Sequence, residues 1–422
     1  ISSAASDVYK RQIMSDLKKL FKIIWKRFSL WIGLLALVTF LINGLNSSNE
    51  LNSKAQTLDK SVNSMAEKIN ISAPSSGEKI NQAYLDKAEE IKKSYAKKYK
   101  IKTQEDSQLD PYYDYENPDL MDQYDFDVFT PLYDYENGTT ITSKEGISSY
   151  FKRKLVGPIL LFVIGISFFI TSLEQSLAYS EFTSMFPWKK QDEVWMKALL
   201  VFLLGLGVLV VNFLLSFFIL QSSAFSQIID MSLVAATVFK IILVILATSI
   251  FSVSIGMIAG NFLGHLGLLI IGAGGIELIV QNIRCIISVF STYSPTWFYK
   301  SYDSFTKKLP EFFKPFLTLI NIELNYINLV SYLTIAILMG ILAYLVNQKV
   351  SSERSGYMVI SRPIEKYTKI LAIFSFAAIF FIILSDTLVN NENIFINIIV
   401  YGLGLLIGSK VFDILFKIRL KF

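Results

Sequence analysis

Eight blocks of almost unbroken apolar residues, at 29–45, 156–173, 198–220, 241–260, 262–283, 327–346, 370–385 and 394–409, constrain this chain more than any other feature. A helix needs roughly 17–25 such residues to cross a bilayer core of about 30 Å. Within that core only a helix or a closed barrel satisfies its own backbone polar groups. Blocks of this length without alternation predict an all-α polytopic membrane protein with about eight transmembrane helices. The composition agrees, with 52% hydrophobic and 18% charged residues. One cysteine, Cys285, and one histidine, His265, leave almost no material for disulfides, zinc sites or Cys/His catalysis. Cys285 reads as a small buried residue, and the net charge of +5 gives no reason to expect nucleic acid.

Charge placement orients the spans. Residues 1–13 resemble a translated sequencing adapter, so Met14 is the expected natural start. Lys18, Lys19, Lys22, Lys26 and Arg27 precede the first block, which favours a cytoplasmic N-terminus within 14–45. An even number of spans then returns a basic C-terminus, with Lys417, Arg419 and Lys421, to the same side. The segments after the second and sixth blocks fall inside, and residues 46–151 fall outside, as expected in a bacterial plasma membrane. Two places run against the charge rule: Lys152–Lys154, and the 284–326 loop with its five basic residues. Long translocated segments largely escape that rule. The last two blocks are short enough to suggest tilted hairpins.

The region 46–151 predicts a mixed domain. Its first half is Lys-rich with a helical pattern, whereas residues 103–143 carry no Lys or Arg and are crowded with Asp, Glu and Tyr. There "YDYENP" (Tyr113, Asp114, Tyr115, Glu116) recurs as "YDYENG" (Tyr133, Asp134, Tyr135, Glu136). Asn-Pro and Asn-Gly are turn formers, so each copy is expected to end a short strand in a turn. The acidic surface can pair with its Lys-rich neighbour or attract a cationic peptide. A calcium loop lacks the required spacing.

The segment after the second block reads "EQSLAYSEFTSMFPWKK". Tyr179, Phe182 and Phe186 share a helical face with Ala178 and Met185, and Pro187 stops the helix. Such a helix rests on lipid or lays its face in a partner's groove. Here the sequence resembles the permeases of ABC type-2 exporters, in Glu174, Glu181, Phe182, Ser184 or Met185, Pro187 and Lys189 or Lys190. A second resemblance, to a Gram-positive branch of that family, lies in 347–369: Lys349, Ser352, Glu353, Gly356, Arg362, Pro363, Ile364, Lys366 and Tyr367.

The resemblance implies that 174–186 is a coupling helix contacting a separate ATPase through Glu174, Tyr179, Glu181, Phe182, Met185, Phe186, Pro187 and Lys189. It also implies a second contact by Glu353 and Arg362, a homodimer or a pair with a sister permease, and two ATPase chains that bind ATP and Mg. This chain itself carries no cofactor and no enzyme chemistry: "GLGLLIGSK" (402–410) lacks the phosphate-loop spacing and lies in an apolar block. The alternative is a sensor or immunity module against cell-wall-active peptides, with the outer domain as receptor. Among the remaining features, Glu277 and Lys240 read as residues snorkelling to an interface, and His265 as a turn residue. Gly256, Gly260, Gly264, Gly272 and Gly275 read as helix-packing positions. The aromatics of 284–326 mark an outer interface.

Overall fold

The protein is described here by a computed structural model covering residues 2–74, 79–99, 126–177, 179, 190–291, 296–320, 323–349, 354, 356–388 and 393–420. Eight of its helices are long and apolar enough to cross a membrane. They lie in α1 (Ser2–Ile69), α4 (Lys144–Phe168, continued by a π-helical turn Phe169–Leu173 and by Glu174–Ser176), α5 (Lys190–Ser222), α6 (Val234–Ile258), α7 (Phe262–Val289), α9 (Tyr326–Lys349), α10 (Arg362–Leu388) and α11 (Ile394–Lys417). The other longer helices are α2 (Gln82–Tyr99), α3 (Phe126–Thr139) and α8 (Thr296–Lys308). Each apolar block maps to one span. Along α1, Leu30, Leu34, Leu37, Leu41 and Leu45 stay exposed at helical spacing, a face suited to lipid rather than water.

Two compact units divide the chain. The smaller comprises Leu37–Ile159 and Val208–Ile241. Its core joins Leu58, Val62 and Met65 of α1 to Tyr84, Ala88, Ile91 and Tyr95 of α2, all buried at helical spacing. Further along α1, the Asn43 amide donates to the Asn212 carbonyl (3.0 Å), Asn212 Oδ1 (3.1 Å) and Ser216 Oγ (3.0 Å), and Ser47 Oγ donates back to Asn43 Oδ1. All four residues are buried. Glu50 binds Arg153 at 2.6 Å and Lys154 at 2.5 Å, which accounts for two of the three basic residues that broke the charge rule.

The expected mixed domain is corrected by this unit, because no strand occurs among its described residues. The second repeat copy lies inside α3 and does not end a strand. Three contacts favour the helix. Leu132 and Tyr135 point into the core one turn apart. Pro131 has no N–H for the carbonyl of Asp127 four residues back, and Lys68 Nζ fills that place at 2.5 Å. Gly138 lies against α1 so closely that a Cβ there would sit 2.8 Å from Leu58 Cβ and 3.1 Å from its Cα. The glycine expected to make a turn instead admits a neighbouring helix. The first copy, Tyr113 to Glu116, lies outside the described residues.

The larger unit comprises Ile1–Ala36, Leu160–Gly207 and Ile242–Phe422. Its last two spans pair antiparallel: Lys369 bonds Asp413, a Cβ on Gly404 would lie 3.0 Å from Ala377 Cα, and Phe381 stacks edge-on against Tyr401. At 1.5 Å per residue, helices of 27 and 24 residues are each long enough to cross the roughly 30 Å core. Cys285 is buried, as expected, and its thiol faces the Ala378 carbonyl at 3.8 Å.

Replacing Gly138 by Val should force α3 away from α1 and destabilise the smaller unit by about 1–3 kcal/mol. Gly138→Ala should cost less. Hydrogen exchange of α2 and α3 amides in the full-length protein measures both, and unchanged protection in the Val variant would refute the close approach.

Candidate functional site

The last turn of α4 is built from hydroxyl residues that compete with the helix ladder. Thr171 Oγ1 donates to the Ser167 carbonyl at 2.5 Å, Ser172 Oγ to that of Phe168 at 3.2 Å, and Ser176 Oγ to that of Ser172 at 2.9 Å. Back-bonding of this kind loosens and bends helices, and here Phe169–Leu173 widens to π geometry. Turns of that type recur at functional sites. Neighbouring elements hold the turn in place. The hydroxyls of Ser167 and Ser252 share a hydrogen bond, His265 Nδ1 lies 2.9 Å from Ser172 Oγ, and the Phe168 ring stacks on His265 at 5.4 Å. Ser176 Oγ accepts from Phe262 N at 3.3 Å, at the start of α7. His265 is buried, and its Nε2 has no partner among the described groups.

Beyond the π turn stands a buried charge cluster. Lys197 Nζ donates to Glu174 Oε2 at 2.7 Å and contacts Glu193 Oε1 at 2.6 Å. Arg27 Nη1 donates to Glu174 Oε1 at 3.3 Å. The Glu174 side chain is 1% exposed and that of Lys197 3%, so neither charge has solvent to fall back on. Two carboxylates face two cations, and only this pairing makes burial tolerable. The Arg27 guanidinium also lies over the Tyr179 ring, 4.5 Å from its centre.

A third part clasps the turn between α6 and α7. Gly356 N donates to the Gly260 carbonyl (2.8 Å), Gly260 N to that of Met358 (3.2 Å) and Ile360 N to that of Ile258 (3.1 Å), around a single antiparallel bridge between Ala259 and Val359. Asn261 caps α7 by accepting from Gly264 N, and its amide donates to the Gly356 carbonyl at 2.8 Å. Leu420 N reaches that same carbonyl at 2.9 Å. Gly356 has φ +91, a conformation that favours glycine. At Gly264 a Cβ would lie 1.7 Å from the Met358 carbonyl oxygen, so this glycine admits a backbone rather than another helix.

Of the coupling residues expected from sequence, Glu174 and Tyr179 meet at Arg27. Glu181, Phe182, Met185, Phe186, Pro187 and Lys189 lie outside the described residues, as does Glu353. Arg362 is exposed at the start of α10, and it is Arg354 that pairs with Glu365. In the acidic segment, Tyr135 is buried with its hydroxyl given to Glu89 at 3.0 Å, and Glu136 meets Lys92 at 3.6 Å. Burial, reinforced by the Glu89 carboxylate, pushes the Tyr135 phenol up, so it remains a donor at neutral pH. Tyr133 is exposed and Asp134 half-buried. Sequence reasoning missed Glu193, Lys197 and the hydroxyl ladder, and treated Arg27 as a topology signal alone. Glu193 and Lys197 do stand at i, i+4 just ahead of an apolar run, a readable helix pair.

Comparison with known proteins found no match to a family model, a curated protein or a solved structure. The site must therefore be read from its own chemistry. Lys197→Met leaves Glu193 without its cation and Glu174 with Arg27 alone, and should destabilise the protein by about 3–5 kcal/mol. Adding Glu174→Gln should recover a large part of that loss. Thermal unfolding in detergent tests this; a double variant no better than the single one would mean the cluster is not coupled.

Proposed function

We propose that this chain is the membrane-spanning permease subunit of an ATP-driven ABC exporter in a bacterial plasma membrane. It works as a homodimer, or with a sister permease, on two copies of a separate ATPase that binds ATP and Mg. The observation that carries the reading is the anchored elbow at the end of α4. The segment resembling a coupling helix leaves the span through a π turn, and buried ion pairs tie that exit to α1 and α5. Force applied to 178–189 by a closing ATPase would reach three helices at once, with the clasp at 356–360 passing it to α6 and α7. The permease then changes state, and a peptide-like or amphiphilic substrate leaves because it binds the two states unequally. No bond is made or broken in this chain.

Phe182→Ala should reduce co-purification of the co-expressed ATPase about thirtyfold in affinity, an aromatic anchor being worth roughly 2 kcal/mol. Phe182→Leu should keep much of it. Arg27→Ala, which frees Glu174 and Tyr179 but leaves the Phe182 anchor in place, should retain most of the ATPase and lose substrate-stimulated hydrolysis. Wild-type stoichiometry with Phe182→Ala would withdraw the coupling assignment.

The orientation has its own test. An impermeant thiol reagent on intact cells should label a cysteine placed at Gln82 and spare one at Lys366; the reverse pattern would invert the topology.

A further inference from the structure

The helix α7 is broken once. At Gly275 its backbone turns to φ +53, ψ −136, and a Cβ there would lie 2.8 Å from the carbonyl oxygen of Leu317. The position was expected to be a packing glycine, but it is a conformational one. The break frees the Ala273 carbonyl, which accepts instead from Leu319 N at 2.8 Å and Thr318 Oγ1 at 3.3 Å. Non-helical backbone at membrane depth persists where it is buried in protein or lines a cavity. Two cavities adjoin this one.

The first, of about 260 Å³, is apolar, with walls that include Leu160, Ile164, Val244, Phe251, Leu269 and Ile320. The second, of about 390 Å³, carries charged and hydrogen-bonding groups on its wall: Glu277, Tyr302, Lys307, Glu323 and Asn328 are among its lining residues. Tyr332 borders both. Their combined volume falls in the roughly 300–1,000 Å³ range of small-molecule sites.

Charge and hydrogen bonding indicate what the second cavity would take. Of its two lysines, Lys314 is neutralised by Glu311, and Lys307 is exposed. The Arg284 charge acts on Glu277 from outside the cavity lining, which leaves Glu323 as the lining carboxylate with no ion pair among the described residues. Glu277 is half-buried and accepts from Tyr302 at Oε2 (2.5 Å) and from Gln281 Nε2 at Oε1 (2.7 Å). Asn328 Nδ2 donates to Glu323 Oε2 at 3.0 Å, which fixes the amide orientation, since its oxygen would repel a carboxylate. Asn328 is 2% exposed, and its Oδ1 has no partner among the described groups. A buried acceptor without a donor is costly. A primary ammonium supplies three donors and one positive charge, which matches both deficits.

We propose that the two cavities form one binding site for a cationic amphiphile: a protonated primary amine held among Glu277, Glu323 and Asn328, with its apolar chain passing Tyr332 into the space behind the helix break. The site lies within a single chain and does not depend on the exporter reading. The probe is radiolabelled dodecylamine, titrated at neutral pH against the full-length protein in zwitterionic lipid nanodiscs, with dodecanol and butylamine as comparators. Dodecylamine should saturate at one molecule per chain and bind at least tenfold more tightly than either comparator. Asn328→Leu and Glu323→Gln should each weaken it about tenfold, and Leu269→Trp, which fills the apolar cavity, should abolish it. Variants are compared only where their melting matches the wild type, and the ligand series on the unaltered protein decides by itself. Equal binding of dodecanol would overturn the ammonium site, equal binding of butylamine the apolar one, and uptake without saturation, which is partitioning into lipid only, would overturn both.

Discussion

A backbone inside hydrocarbon has no water to correct its departures from the helix. Three irregularities among the described residues of the larger unit are each met by a specific donor or acceptor. The π turn of α4 is served by its own hydroxyls and by Ser252 and His265. The turn between α6 and α7 is served by the main chain of residues 356–360, and the break in α7 by Leu319 and Thr318. These are also the places with chemical character. Much of the remaining length of the spans is apolar helix, and its exposed faces suit lipid.

Charge obeys the same economy. Glu174, Glu193, Lys197 and Arg27 balance in a largely buried space, whereas Glu50 bridges Arg153 and Lys154 nearer the surface. Such clusters add little stability beyond what apolar replacements would give, yet removing one member is severe. They fix geometry. Around Glu174 the fixed geometry is that of α1, α4 and α5 at one point.

The spans were legible because a run of apolar residues has one solution in a membrane. The same clarity failed in the region 46–151, where short-range turn chemistry was read without its neighbours. Asn137-Gly138 looks like a turn until Leu58 is seen against the glycine. The glycines of α6 and α7 were recognised as sites of close approach, but not what approaches: a backbone segment about a hundred residues later at Gly264, and a helix break at Gly275. At the elbow, Glu174 stands out in the sequence by motif and Tyr179 by helical spacing. Their partners Arg27 and Lys197 do not, because ion pairs between distant helices leave no periodic trace in sequence.

The Asn43–Asn212 pairing bears on how the protein is made. The two residues are 169 positions apart and lie on different spans. At ribosomal rates of about 5–20 residues per second, roughly 10–30 s pass between their synthesis. Throughout that interval the Asn43 carboxamide has no protein partner on α5 and must be served by water or lipid headgroups. The hydrogen bonding of the first span is therefore completed only when the third arrives. Membrane insertion and tertiary folding overlap in this chain, and an insertase that releases α1 early would release it wet.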